Sequence, residues 1–260
     1  MIAQVSHATP SGAAWGSIAS TVGSAPRRRK LERRRGLIFD LDDTLYPRER
    51  FIRSGFAAVA NDLQRRHGLP AGMVFRRLSQ AFTGGHAGQE FQALCGQLGL
   101  SPKEVPYMLR IFRAHKPSLW LPYESSETLR KLRLDGWRLA ILTNGIPGVQ
   151  AAKVDALGLL PMVDAVVYAE AIARGGKPDP AVFYEALDRL DLTADRCVVA
   201  GDDPVCDIAG AHAAELRSIR VARPGVTVAP GSDADLIVNT VADVPKVAGA
   251  LLEMVTLDAA

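Results

Sequence analysis

A chain of 260 residues, 48% of them hydrophobic, can bury one large core, alone or with a smaller domain beside it. It has no run of 18 apolar residues, so a membrane-spanning helix is not expected, and Cys95, Cys197 and Cys206 are too few and scattered for a disulfide framework or a cysteine metal site. That cysteine usage fits a reducing, cytoplasmic setting. The net charge of +3 divides unevenly: residues 1–35 hold a surplus of +6, leaving −3 on the remainder. A basic tail on a mildly acidic body argues against a nucleic-acid partner.

Residues 1–26 lack any charged side chain, are rich in Ser, Ala and Gly, and show no steady period. With the cations that follow them, residues 1–35 are expected to be a disordered basic extension. Its cations come after the apolar stretch rather than before it, unlike a secretory signal.

Gly36 to Leu41 predicts a first buried strand with Asp40 at its exit. Residues 45–116 then change to helical periodicity, with stripes at Ile52, Phe56, Val59 and Leu63; Val74, Leu78 and Phe82; Phe91, Leu94 and Leu98; and Val105, Leu109 and Phe112. Turn signals at Gly68-Leu69-Pro70, Gly84-Gly85 and Ser101-Pro102 separate them. Four helices with no strand between them predict a small helical domain over 45–116, inserted into a core formed by 36–44 and 117–260.

Beyond it come a helix to Leu134, then apolar runs at Leu139–Leu142 before Thr143, Ala165–Tyr168 upstream of Lys177, and Cys197–Ala200 before Gly201-Asp202. Ser218–Val221 and Asp235–Val238 predict further strands, and Val244–Met254 a closing helix. Short uninterrupted apolar runs between helical patterns predict an α/β fold, a Rossmann-like parallel sheet with helices on both faces. In such sheets the ligand crevice lies at the carboxyl ends of the strands, where these runs deliver Asp40, Thr143, Lys177 and Asp202.

The chemistry of those ends is coherent. Asp40 and Asp42 are two residues apart, so an extended chain sends both carboxylates to one side. Asp40 can attack phosphorus while Asp42 delivers a proton to the leaving oxygen. An anion attacking a phosphate needs positive charge, and four neighbouring carboxylates would repel one another. A hard cation such as Mg²⁺ answers both needs, with Asp40, the backbone carbonyl of Asp42 and Asp202 as ligands, and Asp207 bound directly or through water. Lys177, between Gly176 and Pro178, is the fixed cation. Thr143 and the Asn144-Gly145 backbone offer a phosphate cradle. Asp203 is expected only to start a helix, and His67, His86, His115 and His212 to lack a carboxylate or cysteine partner.

Four segments in order carry a family resemblance: Phe39-Asp40-Leu41-Asp42-Asp43-Thr44-Leu45, Leu142-Thr143-Asn144-Gly145, Lys177-Pro178-Asp179-Pro180, and Gly201-Asp202 through Asp207-Ile208-Ala209-Gly210-Ala211. Together they resemble the haloacid dehalogenase superfamily of hydrolases, from Gly36 to the C-terminus. The resemblance implies a Rossmann-like core with an inserted helical cap. It also implies Asp40 as nucleophile, Asp42 as acid/base, Thr143 and Lys177 as phosphate stabilisers, and the fourth segment as a Mg²⁺ site. The dehalogenating members lack an acidic group at the position of Asp42, so its presence favours a phosphatase acting on a small phosphorylated metabolite through an aspartyl-phosphate. A phosphomutase or dehalogenase on the same scaffold, or a non-catalytic receiver-like module, are the alternatives. The natural substrate and oligomeric state are not legible.

Overall fold

The computed structural model describes residues 34–222 and 233–258, so all but the last two residues of the basic extension lie outside it. Among the described residues one parallel sheet is built from β1 (Arg35–Phe39), β2 (Trp137–Thr143), β3 (Ala165–Tyr168), β4 (Cys197–Gly201), β5 (Arg217–Val221) and β6 (Leu236–Val238), in the order β3-β2-β1-β4-β5-β6. The strands alternate between two cores, as a period of two requires. Leu37, Phe39, Leu139, Ile141, Val198 and Ala200 face one, whereas Ile38, Ala140, Leu142, Cys197 and Val199 face the other.

Between β1 and β2 run α1 (Glu49–His67), α2 (Ala71–Thr83), α3 (Glu90–Leu98), α4 (Glu104–Ala114) and α5 (Tyr123–Leu134). The first four share an apolar cluster of their own, centred on Phe56, Leu63, Val74, Leu78, Leu94 and Met108. Met108, not the Val105–Leu109–Phe112 stripe read from the sequence, is the buried centre of α4. Left-handed Gly68 and Gly99 close α1 and α3. Phe51 and Phe112 pack edge-to-face and belong with the core beneath the sheet's rim, tying this helical block to it.

The remaining helices clothe the sheet. They are α6 (Pro147–Ala156), α7 (Pro180–Leu190), the short α8 (Gly210–Ala213) and α9 (Val244–Asp258). Asp179 caps α7 through the Ala181 N–H with Pro180 in its first turn, as the sequence indicates. Asp203 does the same for Val205 and Cys206, but the segment it opens, Pro204–Ala209, is π-helical before α8 begins. No described helix is long and apolar enough to cross a membrane.

Two histidine expectations are corrected. His212 Nε2 lies 3.1 Å from Asp235 Oδ2 and 2.8 Å from Ser218 Oγ, which fastens the β6 approach to β5. His67 lies 3.5 Å from Glu104. In both cases the carboxylate is distant in sequence, so no local pattern announces it.

Candidate active site

β1 sits between β2 and β4, where the strand order reverses, and that reversal opens a crevice at the strands' carboxyl ends. A cavity of about 470 Å³ lies there, lined by Asp40, Asp42, Thr143, Asn144, Lys177, Asp202 and Asp207. Every candidate residue named from the sequence therefore reaches one cavity. From the helical block, Arg48, Phe51 and Ile52 at the start of α1 and Phe112 and Arg113 at the end of α4 complete its wall. Its volume suits a small metabolite.

On one side stands Lys177, 4% exposed. Its ammonium donates to Asp40 Oδ1 and to Asp207 Oδ1, each at 2.6 Å, and to the Leu142 carbonyl at 3.0 Å. Burial disfavours its charge, yet the two carboxylates hold it well above the ordinary lysine value. The loop that delivers Lys177 is latched by Asn144, whose side chain accepts from the Lys177 N–H at 2.8 Å and donates to the Lys177 carbonyl at 3.0 Å. Gly176 has a left-handed φ of 66°, and a Cβ there would collide with the Asn144 side chain, so this latch needs glycine. Asn144 is thus anchored to the lysine loop, leaving its backbone rather than its side chain to meet a phosphate.

Asp40, Asp202 and Asp207 each place a carboxylate oxygen within 4.8 Å of the others. Burial raises Asp40 above the ordinary carboxylate range, with Lys177 opposing and Asp207 and Asp202 adding to the rise. Burial and then Asp207 push Asp202 up to about 6, while Thr44 donates to its Oδ1 at 3.2 Å. Asp207 is held by Lys177 through one oxygen and by the Asp203 N–H, at 3.0 Å, through the other. It packs against Gly201, where any side chain would occupy the same space. Three carboxylates share one ammonium, so this cluster is short of positive charge. Oxygen donors so gathered fit a hard divalent cation.

Across the cavity Asp42 is held differently. Lys153 Nζ donates to both its oxygens, at 2.8 and 2.7 Å, Tyr46 OH to Oδ1 at 2.7 Å, and Gln150 Nε2 to Oδ2 at 2.9 Å. Gln150 Nε2 also donates to Thr143 Oγ1. Burial opposes charge on Asp42, but Lys153, Gln150 and Tyr46 outweigh it and hold the carboxyl below its ordinary value. Lys153, Gln150 and Tyr46 are the residues that sequence reasoning missed. One signal was present: Gln150 and Lys153 sit three apart on α6, two polar groups on a face that also buries Val154.

With the geometry in view, comparison with known proteins is decisive. Residues 35–215 match the family model described as haloacid dehalogenase-like hydrolase. The chain belongs to this family. A ribulose-1,5-bisphosphate 5-phosphatase of Halopiger xanaduensis is 30% identical over 203 residues, covering 70% of this chain and 82% of that protein. A glyceraldehyde 3-phosphate phosphatase of Methanopyrus kandleri is 29% identical, covering 73% and 84%. Among solved structures, a 2-haloacid dehalogenase of Pseudomonas syringae is 26% identical with a TM-score of 0.57, covering 83% of this chain and 98% of that one.

Proposed function

We propose that this chain is a phosphatase that hydrolyses a small phosphomonoester, a sugar phosphate, nucleotide or similar metabolite, through an aspartyl-phosphate on Asp40. The observation that carries the reading is Asp40 itself. Lys177 occupies its Oδ1, no hydrogen bond to its other oxygen is seen among the described residues, and Asp40 lines the same cavity as Thr143 and the metal-fitting carboxylates. The relatives that are phosphatases support the reaction class.

In the first step the free Asp40 oxygen forms a bond to phosphorus, the ester P–O bond breaks, and the leaving oxygen takes a proton from Asp42. In the second, water attacks phosphorus, its proton passes to Asp42, and the bond between phosphorus and Asp40 breaks to release phosphate. As held here Asp42 is ionised, the form the second step uses. In the first step it carries the proton, and the Tyr46 hydroxyl turns from donor to acceptor. Thr143 accepts from Gln150, which turns its own hydroxyl proton toward a phosphate oxygen. Lys177 neutralises Asp40 and the phosphoryl oxygens beside it.

Asp40, Asp202 and the Asp42 carbonyl would hold Mg²⁺, with Asp207 joining directly or through water, since each of its oxygens accepts one protein donor and keeps a lone pair. When bound, that ion supplies the positive charge the three carboxylates lack and offsets the repulsion between nucleophile and phosphate. We take residues 45–116 to be a cap domain that selects the substrate, on a core of 36–44 and 117–260 working in the cytoplasm. Its contribution to the cavity wall supports that role.

The test is a panel of phosphorylated metabolites with and without Mg²⁺, run beside Asp40→Asn. Metal-dependent phosphate release that falls by on the order of 10⁴-fold in the variant is expected. Phosphate release undiminished in a folded Asp40→Asn variant would overturn the assignment, and chloride release from a haloacid without metal would make the chain a dehalogenase instead.

A further inference from the structure

Lys153 belongs to none of the four segments that carry the family resemblance, yet it is as deeply buried as Lys177, at 4% exposure. Burying an ammonium is costly unless it is paired and hydrogen-bonded, and an apolar pair of like shape would pack there as well. What the ion pair adds is orientation. A carboxylate turns in a broad, roughly two-fold well about its last torsion. Tyr46 and Gln150 each hold one oxygen of Asp42, whereas Lys153 bridges both and fixes the plane of the group.

The clamp is itself rigid. α6 follows directly on the Thr143–Ile146 turn, so Gln150 and Lys153 are fixed to the end of β2 one helical turn apart. Gln150, 2% exposed, joins the Asp42 carboxylate to the Thr143 hydroxyl in one buried network. An ionised carboxylate only accepts hydrogen bonds, so the Gln150 amide nitrogen must face it. The ring of Phe51, from α1, covers the Lys153 ammonium at 4.5 Å and shuts out water from that side.

We propose that Lys153, assisted by Gln150, is a positioning residue that holds the Asp42 carboxyl in the orientation from which it exchanges a proton with the leaving oxygen. The inference rests on the reading of Asp42 as the acid/base of a phosphatase, and its test separates the two. The readout is kcat/KM, which covers events up to departure of the leaving group, for two esters in saturating Mg²⁺. The p-nitrophenolate ion leaves without a proton; the alkoxide of glycerol phosphate needs one.

Lys153→Met should lower kcat/KM by roughly 10²-fold for glycerol phosphate and by less than about 3-fold for p-nitrophenyl phosphate. A burst of p-nitrophenolate should then precede the slowed second step. Lys153→Arg, which keeps a two-pronged cation, should recover most of the loss. Equal losses on both esters, or none on either, would overturn the inference. Should Lys153→Met not fold, as judged by its thermal melt, Gln150→Met carries the same test with an expected gap of about 10-fold. Turnover surviving in Asp40→Asn would instead sink the phosphatase reading. An inactive Asp40→Asn beside a Lys153→Met that slows both esters alike would sink only the positioning role.

Discussion

The cavity holds two buried lysines that do opposite electrostatic work. Lys177 stands among Asp40, Asp202 and Asp207, bonding two of them, and the cluster stays short of positive charge. Lys153 faces Asp42 alone, one ammonium to one carboxylate, and the pair is complete. Burial dominates at both lysines, but two carboxylates lift Lys177 above its ordinary value, while the single Asp42 leaves Lys153 below it. An incomplete cluster calls for a further cation; a complete one needs none. On the proposed function, the site thus separates into a side that would bind metal and attack phosphorus and a side that would move a proton.

The largest effect expected from breaking this contrast is on folding. Lys177→Met leaves Asp40 and Asp207 buried without their shared counter-charge, at a cost of about 3–5 kcal/mol, and excess Mg²⁺ should recover part of it. Urea unfolding with and without the ion checks both statements. Lys153→Met, which orphans one carboxylate still held by Tyr46 and Gln150, should cost less and show no such recovery.

A smaller effect sharpens the same contrast through pH. Asp202, pushed up to about 6, must lose its proton to bind a cation. Above that value the ion meets a carboxylate; below it, protons compete. Asp40, raised to about 8, competes for protons in the same way, so apparent Mg²⁺ affinity should begin to fall as the pH drops below about 8 and fall more steeply below about 6, measurable by thermal shift at several ion concentrations. Affinity independent of pH between 5 and 8 would remove Asp202 from the metal side.

The metal side is the half the sequence displays. Asp40, Thr143 and Asp202 each follow an apolar strand, and the strand order gathers them with no side-chain detail needed. Lys177 and Asp207 follow from Gly176 and Gly201, whose missing side chains make room for the Asn144 latch and the Asp207 carboxylate. The proton side is nearly silent. Lys153 lies 111 residues from Asp42 and Gln150 lies 108, and only their spacing on the α6 face that buries Val154 hints that two polar groups turn inward. His212 and Asp235 were hidden for the same reason, since side chains meeting across elements leave no local period. The helical block was legible as helices, but the choice of Met108 for its centre depended on how α4 rolls against α1.

Mg²⁺ titration calorimetry on Asp42→Asn beside Asp202→Asn bears most directly on the division between the two sides. Asp42→Asn keeps its backbone carbonyl and alters only the proton side, so it should bind the ion within about 3-fold of the parent. Asp202→Asn, which takes away a ligand charge, should bind at least about 100-fold more weakly. Binding abolished by Asp42→Asn and preserved in Asp202→Asn would contradict the division.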